Sequence, residues 1–372
     1  MRLLIVTHYF PDHRGGIEIV AGELARRLAR DGVDVVWAAS GVTATRGAPG
    51  AVPMKTWNIT ENRLGFPYPL WSPAGFSRLR HLVAGCDVVH LHDSLYLGNA
   101  AAARLARQLG KSVVVTQHIG EVPYRNPVLR GLLRVANRTL ARRVLTSCDR
   151  CVFISPRVRD FFSGFVRFRS PPLYWPNGVD LERFRPVADV ERVAIRSRLG
   201  WSTDRPVFFF AGRFVEKKGL KLLHEAARQL PEADFVFAGW GPLDPAMWGL
   251  PNVRCAGSLS TAELVPYYQA ADLLVLPSMG EGFPLVVQEA AACGTPALIS
   301  QETALGHPLI FPFTQVVEPT AAHVVTQLKQ WLGNPARHAI ERELVAVHAR
   351  TYWDWDKSAA AYGRLFRELA KA

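Results

Sequence analysis

The chain has 372 residues, more than one hydrophobic core usually organises, so two domains are expected. Hydrophobic residues make up 49% of it and charged residues 20%, which indicates a globular protein and excludes a disordered one. No apolar run reaches the ~20 residues that span a bilayer. The odd, sparse count of five cysteines is typical of a reducing compartment, so we expect a cytoplasmic protein.

The positive charge is confined to the first half of the chain. Residues 1–180 contain 24 Lys and Arg against 12 Asp and Glu, whereas residues 181–372 contain 20 against 20. The net charge of +12 therefore comes entirely from the first half. This asymmetry predicts an anionic partner for that half, which is nucleic acid, anionic lipid or a phosphorylated substrate.

Short apolar runs alternate with helical patterns along the first half. The predicted strands are RLLIVTHYF, VDVVWAAS, CDVVHLHD, SVVVTQHIG and RCVFIS. The residues after the first run repeat at helical spacing and stop at Asp31-Gly32. Such alternation predicts a doubly wound α/β domain.

Gly15 and Gly16 stand between the first strand and the first helix. Glycines there let a ligand approach the backbone, and the helix N-terminus offers N–H groups and partial positive charge to a phosphate. Many tight turns also use paired glycines, so a purely structural role stays open. The complete G-x-G-x-x-G pattern of nicotinamide and flavin enzymes is absent.

A basic amphipathic helix is predicted at NPVLRGLLRVANRTLARRVL. One face is apolar, and the other carries an i, i+4 stripe of Arg130, Arg134, Arg138 and Arg142 with no interleaved acid. A solvated face is the ordinary interpretation, but four unpaired arginines repel one another. An anionic membrane leaflet would relieve this by ~1 kcal/mol per basic residue. We therefore expect peripheral membrane association on the cytoplasmic side, aided by the aromatic and basic RDFFSGFVRFR.

The alternation restarts after the Pro-rich SPPLYWPNGVDLERFRP, which reads as a linker. Strands are predicted at PVFFFAG, DFVFAG, DLLVLPS and TPALIS, with helices between them. The second half is thus a second Rossmann-like domain. A ligand is expected in the cleft between the two domains, at the carboxyl ends of their strands.

The loop GRFVEKKGL at 212–220 follows a strand and precedes a helix. It supplies Arg213 and Lys218 (or Lys217), a guanidinium fork and an ammonium of the kind that a diphosphate requires. A Lys-Lys pair is commonly a solvated loop, but α/β folds bind anions in this strand–loop–helix context.

The segment SMGEGFPLVVQEAAACGTP at 278–296 places Glu281 in a loop and Glu289 about two turns into a helix. A helix-borne carboxylate can accept two hydroxyl hydrogen bonds, so a vicinal diol such as a ribose is the predicted partner of Glu289. The alternative is that Glu281 caps the helix and Glu289 is surface charge. Backbone groups predicted to contact the ligand belong to Gly282, Phe283, Pro284, Leu285 and Val286.

These motifs together, in this order, resemble the family-4 retaining glycosyltransferases of GT-B fold. The resemblance spans nearly the whole chain and ends at YWDWDKSAAAYGRLF, a helix that in the family crosses back to the first domain. It implies two Rossmann-like domains facing a cleft. Residues 1–178 with 353–372 form the acceptor-side domain, and residues 179–352 form the domain that binds the nucleotide sugar.

The resemblance also implies roles for single residues. Glu289 resembles the ribose-binding glutamate and Glu281 the one near the reacting face of the donor sugar. Arg213 and Lys218 match the diphosphate pair, and Gly16, beside Gly15, matches the glycine at the β-phosphate. His118, in VVVTQHIG, resembles the active-site histidine that contacts the donor sugar. The segment QETALGHPLIFPF departs from the family, which often has a Gly-rich, Glu-containing stretch there.

The implied activity is a metal-independent, retaining transfer of a hexose-type sugar from a UDP- or GDP-sugar to a glycan or lipid-linked acceptor, in bacterial-type surface polysaccharide or lipopolysaccharide synthesis. No cofactor is expected besides the nucleotide sugar. The only DxD, Asp354-Trp355-Asp356, reads as a helix start, and His90, His92 and His118 are not spaced as zinc ligands. An epimerase of the same fold, without an acceptor, is the alternative. A nucleic-acid-binding module would leave the two glutamates unexplained, so no nucleic acid is expected.

Overall fold

We describe the protein from a computed structural model. The structure describes residues 1–13, 15–41, 48–57, 68–121, 127–279, 281, 283–306 and 314–371. Contacts divide the chain into two compact units. Unit 1 comprises Met1–Asn177 with Trp355–Ala372, and unit 2 comprises Gly178–Asp354.

The described strands of unit 1 are β1 (Arg2–Tyr9), β2 (Asp34–Ser40), β3 (Ala51–Met54), a separate antiparallel pair β4 (Thr56–Trp57) and β5 (Leu70–Trp71), β6 (Val88–His92), β7 (Ser112–Gln117), β8 (Arg150–Phe153) and β9 (Leu173–Tyr174).

Seven of these strands form a parallel sheet with the order β3-β2-β1-β6-β7-β8-β9. Both faces of this sheet are covered, and accordingly Leu3 to Tyr9 are all buried. The strand order reverses between β1 and β6, which makes the carboxyl ends of these two strands the switch point of the unit.

Helices cover the two faces of this sheet with two separate cores. Because side chains alternate along a strand, Leu4 and Val6 of β1 belong to one core, and Leu3 and Ile5 belong to the other. Within the described residues, the α-helices that precede unit 2 are α1 (Gly16–Arg30), α2 (Pro73–Ala84), α3 (Leu97–Gln108), α4 (Pro127–Ala136), α5 (Arg142–Ser147) and α6 (Pro156–Ser163).

Helices α4 and α5 are joined without a break by a π-helical turn at Asn137–Ala141. No residue of α4 is buried, and Val128, Leu132 and Val135 are 69%, 64% and 61% exposed. The predicted amphipathic helix is present, but its apolar face packs on the core only near its C-terminal end, at Val144. Periodicity predicted the helix but did not reveal that no residue of α4 is buried.

The described strands of unit 2 are β10 (Val207–Ala211), β11 (Asp234–Ala238), β12 (Val253–Gly257), β13 (Leu273–Leu276), β14 (Ala297–Ser300) and β15 (Thr314–Val317). They form a six-stranded parallel sheet with the order β12-β11-β10-β13-β14-β15, and the unit has one continuous core. Its helices are α7 (Asp189–Arg198), α8 (Leu220–Gln229), α9 (Thr261–Ala270), α10 (Leu285–Ala292), α11 (Gln301–Leu305), α12 (Ala321–Leu332) and α13 (Pro335–Tyr352). Here the strand order reverses between β10 and β13.

The last helix, α14 (Trp355–Leu369), belongs to unit 1 although it follows unit 2 in the chain. Ala359, Tyr362 and Phe366 are buried in the same core as α1. Asp356, in the first turn of α14, accepts hydrogen bonds from Arg27 and Arg30 of α1 at 3.0 and 2.9 Å. The predicted return of the last helix to the first domain is confirmed.

None of the helices within the described ranges is both long enough and apolar enough to cross a bilayer.

Candidate active site

The switch point of unit 2 brings two predicted loops into contact. The loop 212–219 follows β10 and the loop 277–284 follows β13, and these two strands are neighbours in the sheet. Gly219 has a φ of +76°, and a Cβ there would lie 2.5 Å from the carbonyl oxygen of Pro277. The N–H of Met279 donates to the carbonyl of Lys217 at 2.8 Å. Glycine is therefore required at 219 for the close approach of the loops.

Glu281 forms ion pairs with both lysines of the opposite loop. Its Oε1 lies 3.0 Å from Nζ of Lys218 and 3.5 Å from Nζ of Lys217. Burial alone would raise the pKa of Glu281, but the charges and hydrogen bonds of Lys218 and Lys217 outweigh it and lower the pKa to about 2. The carboxylate is thus ionised at neutral pH. Since the N-cap of α10 is Pro284, Glu281 does not cap that helix, which removes the alternative role.

Arg213 lies in the same loop as the lysines and is exposed. No carboxylate of the described residues pairs with it. The loop therefore carries two different cations. The guanidinium of Arg213 has no carboxylate partner among the described residues, whereas the ammonium of Lys218 pairs with the carboxylate of Glu281. This arrangement suits an anion that needs one fixed and one adaptable cation.

Glu289 is buried in unit 2, only 8% exposed, and it accepts a hydrogen bond from the hydroxyl of Tyr268 at 2.8 Å. Burial raises its pKa to about 7, although the Tyr268 hydrogen bond and the charge of Arg183 act in the opposite direction. The helix begins at Leu285, so the residue lies about one turn into α10 and not the predicted two. A surface role for Glu289 is excluded by its burial.

Sequence reasoning missed Tyr268. It lies in α9 and is fully buried, packed against Phe209 and Phe184. The available signal was a tyrosine on the core-facing side of a helix, since a buried tyrosine hydroxyl requires a polar partner. Its hydroxyl donates to Oε2 of Glu289.

The predicted set of backbone contacts before and in α10 needs one correction. Pro284 has no N–H and cannot donate a hydrogen bond, so it drops out of the set of N–H donors. The N–H groups of Leu285 and Val286 belong to the first turn of α10, where no carbonyl of the helix can accept them. Phe283 is buried against Trp353, with ring centroids 5.4 Å apart. Gly282 lies outside the described residues, as does 307–313 of the QETALGHPLIFPF segment.

At the switch point of unit 1, Asp93 organises the end of the neighbouring strand β7. Its Oδ1 accepts the N–H groups of His118 and Ile119 at 2.8 and 3.3 Å, and its own φ is +67°. Burial raises the pKa of Asp93 to about 6, while the hydrogen bond from the His118 backbone lowers it. An Asp that follows a strand was the one sequence signal for this role.

His118 lies where the resemblance placed it, after the carboxyl end of β7. Its Nε2 is 3.0 Å from Nδ1 of His92, and burial lowers the pKa of His118 to about 3. The imidazole is therefore neutral at physiological pH and can donate or accept a hydrogen bond without carrying charge. His90 does not join this pair, since its Nε2 contacts Oγ1 of Thr116 at 2.8 Å. Among the described residues, no group of three or more His, Cys, Asp or Glu side chains is arranged to hold a metal ion.

The two glycines before α1 differ in what surrounds them. A Cβ on Gly15 would lie 2.1 Å from Oε2 of Glu18, whereas a Cβ on Gly16 would meet nothing within 4 Å. Glu18 is 1% exposed, and its Oε1 lies 3.0 Å from Nε2 of His8. Burial would raise its pKa, but His8 and His13 lower it to about 2. Gly15 therefore makes room for a carboxylate of the chain itself, and Gly16 is the position that leaves open space for a ligand.

The four arginines of the stripe are exposed, as predicted, but not all are unpaired. Arg134 donates to Glu121 at 3.1 Å, and the guanidinium of Arg138 lies 5.7 Å from the ring centroid of Phe165. The expectation of four unpaired arginines is therefore wrong for Arg134, whose partner is 13 residues away in sequence. Arg130 and Arg142 have no carboxylate partner among the described residues. The π-helical turn also interrupts the regular i, i+4 alignment.

Two family profiles match this chain. "Glycosyltransferase Family 4" matches residues 14–183, and "Glycosyl transferases group 1" matches residues 205–312. The first match covers most of unit 1 and ends at residue 183, just inside unit 2, and the second lies within unit 2.

The relatives include mannosyltransferases with nearly the same length. A GDP-mannose-dependent alpha-(1-6)-phosphatidylinositol monomannoside mannosyltransferase of Mycobacterium tuberculosis is 30% identical over 80% of each chain. A GDP-mannose-dependent monoacylated alpha-(1-6)-phosphatidylinositol monomannoside mannosyltransferase of Corynebacterium glutamicum is 27% identical over 95% of each chain. Among solved structures, a sucrose-phosphate synthase from Thermosynechococcus elongatus superposes with a TM-score of 0.79 at 20% identity, covering 99% of both chains.

Proposed function

This chain belongs to the family-4 glycosyltransferases of GT-B fold, and we propose that it is a retaining, metal-independent hexosyltransferase with a nucleotide-diphosphate sugar as donor. The observation that carries the proposal is the contact of Lys218 with Glu281 at the switch point of unit 2. This contact joins the cationic loop after β10 to the loop that leads into α10, and α10 carries Glu289.

Unit 2 binds the donor in this proposal. Arg213 and Lys218 bind the diphosphate, together with the N–H groups at the start of α10. The oxygen of Glu289 that Tyr268 leaves unoccupied accepts hydrogen bonds from the ribose hydroxyls. The relatives named above use GDP-mannose, so a GDP-sugar is the first donor to test, with a UDP-sugar second.

The chemistry requires the bond between the anomeric carbon and the diphosphate to break, while a bond to the acceptor oxygen forms on the same face of the sugar and the proton of the acceptor hydroxyl passes to the departing diphosphate. Negative charge then grows on the departing diphosphate, and Arg213 and Lys218 stabilise it. Each fixed cation contributes about 2–4 kcal/mol to the transition state, by comparison with oxyanion donors. Glu281 holds Lys218 in place and contacts the donor sugar. Neutral His118, fixed by His92 and Asp93, serves as a hydrogen-bond partner for a sugar hydroxyl.

The acceptor is glycan or lipid-linked, as in bacterial-type surface polysaccharide or lipopolysaccharide synthesis. Relatives named for phosphatidylinositol monomannoside support a lipid acceptor. The exposed arginines of unit 1 and the uncovered apolar residues of α4 support peripheral association with the cytoplasmic leaflet. No nucleic acid is involved.

A thermal-shift panel with UDP, GDP, ADP and dTDP tests the donor site first, because the cognate nucleotide stabilises the folded state. Transfer from the matching nucleotide sugar is then followed with membrane extract as acceptor, with and without EDTA, and the anomeric configuration of the product is read by NMR. No nucleotide-dependent shift would contradict the donor site. Interconversion of the nucleotide sugar without transfer would favour the epimerase, and loss of activity in EDTA would refute metal independence.

A further inference from the structure

Unit 1 contains a large groove that the transfer reaction does not use. The groove has a volume of ≈ 1390 Å³ and lies between α3 and the continuous helix that runs through the π turn into α5. Its lining includes apolar side chains such as Phe76, Leu140 and Val144. It opens on the sheet face opposite to α14, since its apolar residues pack on the core that contains Leu4 and Val6.

Six arginines line this groove, which we call the arginine groove: Arg104, Arg107, Arg138, Arg142, Arg143 and Arg169. Among its lining residues there is no Asp or Glu. Only Arg169 has a carboxylate partner among the described residues, Asp149 at 3.1 Å. Five guanidinium groups therefore share one concave surface without an opposite charge, which is unfavourable unless an anion binds there.

The arginine side chains indicate which kind of anion the groove would bind. A guanidinium presents a planar fork of N–H donors that matches the oxygens of a phosphate, and several of them around one cavity suit a phosphorylated group. Four of the six, Arg104, Arg107, Arg143 and Arg169, lie outside the predicted stripe. Arg104 and Arg107 belong to α3, and the packing of α3 against α5 places them beside Arg138 and Arg142 of the stripe.

The apolar part of the groove and the adjoining helix α4 favour an amphiphile over a purely polar polyanion. α4 runs without a break into the wall of the groove and exposes Val128, Leu132 and Val135. Nucleic acid would gain little from these aliphatic side chains, because bases bind to aromatic stacking platforms. A lipid bilayer accepts both features, with aliphatic side chains in the acyl region and arginines at the phosphates.

We propose that the arginine groove binds the phosphorylated headgroup of an anionic phospholipid while the apolar residues of α4 insert into the same leaflet. The proposal rests on the membrane association proposed above. It adds a defined headgroup site that includes Arg104, Arg107 and Arg143. The stripe alone predicted only a diffuse electrostatic attraction between the helix and the membrane surface.

The test measures co-sedimentation of the full-length protein with phosphatidylcholine vesicles that contain or lack phosphatidylglycerol. The groove variant is Arg104→Gln/Arg107→Gln/Arg143→Gln. Its matched control, Arg364→Gln/Arg367→Gln/Lys371→Gln, removes the same charge at the C-terminal end of the chain, where α14 packs on the opposite sheet face. We expect the groove variant to lose about a hundredfold in partitioning to anionic vesicles and the control to lose much less. Equal losses in both variants would overturn the headgroup site, and so would no loss in either.

Further measurements test the insertion of α4 and distinguish a phospholipid headgroup from other ligands of the groove. Leu132→Asp, at an exposed site, is expected to weaken vesicle binding without lowering the melting temperature; unchanged binding would contradict insertion of α4. Soluble glycerol phosphate at matched ionic strength should compete only weakly. Full competition would show that the groove binds free phosphate esters, and loss of RNA binding in the groove variant with vesicle binding intact would point to nucleic acid instead.

The vesicle-binding experiment tests the arginine groove separately from the donor site. The nucleotide-induced thermal shift is measured on the wild type and the groove variant, and the groove variant is expected to keep it. If the wild type shows no shift with any nucleotide, the proposed function fails whatever the vesicles show. If the shift is present and the groove variant still binds anionic vesicles like the control, the groove proposal alone fails.

Discussion

The ammonium of Lys218 and the carboxylate of Glu281 lie 3.0 Å apart, and each side chain is 14% exposed. The two residues follow different strands, β10 and β13, and meet because these strands are neighbours at the switch point. Lys218 is thereby held where the proposal places the diphosphate, and Glu281 is kept ionised.

Lys218→Ala removes the nearer of the two cations that hold Glu281 and one charge at the diphosphate. We expect kcat/KM to fall about 10²- to 10³-fold, by comparison with loss of an oxyanion donor, and the thermal midpoint to fall because a buried carboxylate loses a partner. Steady-state kinetics and thermal melts measure the two effects. Lys218→Arg keeps the charge and is the control. Wild-type activity in Lys218→Ala would contradict the assignment.

Replacing each of the two glutamates is expected to affect a different step of the reaction. Glu289→Ala loses the acceptor for the ribose hydroxyls and should weaken donor binding, whereas Glu281→Ala should mainly lower turnover. Isothermal titration with the nucleotide sugar and single-turnover rates separate the two quantities. Equal losses of donor affinity in both variants would refute this division of roles.

Donor binding is expected to depend on the ionisation of Glu289. The pKa of about 7 in the empty protein means that the group is partly protonated at neutral pH, while ribose hydroxyls donate to the ionised form. Affinity for the nucleotide sugar should therefore be about tenfold weaker at pH 6 than at pH 8. The diesterified diphosphate of a nucleotide sugar does not titrate in this range. Glu289→Gln should bind weakly with little pH dependence, and a pH-dependent Gln variant would contradict the assignment.

The same group affects folding with a defined sign. The folded-state pKa of about 7 lies above the ordinary value of 4.5, so the folded protein keeps the Glu289 proton where the unfolded chain has lost it. The contribution of this group is fully present below pH 4.5 and is lost as pH rises to about 7. Glu289→Gln, which keeps an acceptor for Tyr268, should raise the free energy of unfolding at pH 8 by about 2–3 kcal/mol relative to its effect at pH 4.5. Urea unfolding at both pH values measures it, and an equal effect at both would refute the raised pKa.

Gly15 and Gly16 form a matched pair. Gly15→Ala places a Cβ against the Glu18 carboxylate and should lower the melting temperature. Gly16→Ala meets nothing within 4 Å and should leave the melting temperature of the free protein unchanged. If Gly16 faces the donor, its alanine variant should nevertheless lose donor affinity. A Gly16→Ala enzyme with wild-type kinetics would remove Gly16 from the site, and a stable Gly15→Ala would contradict the packing of Glu18.

Much of the site could be predicted because its parts are local. Arg213, Lys218 and Glu281 were identified from loops that follow apolar strands, and the structure places them in such loops. Where prediction failed, the reason was equally specific. Pro284 lacks an N–H, Glu289 lies about one turn and not two into α10, and Arg134 pairs with Glu121, an acid outside that helix.

The sequence by itself determined the central strands of both sheets, several of the helices that connect them, the order of the two α/β units and the residue types at their switch points, because apolar periodicity and turn chemistry act over a few residues. It did not predict the edge strands β3, β9, β12 and β15. Only the tertiary structure decided that Lys218 holds Glu281, that Tyr268 donates to one oxygen of Glu289 and that Glu18 of α1 pairs with His8 of β1. It also decided that Arg104 and Arg107 of α3 share one groove with Arg138 and Arg142 of the stripe. These contacts join different elements, and their partners depend on which strands and helices pack as neighbours, which no local pattern specifies.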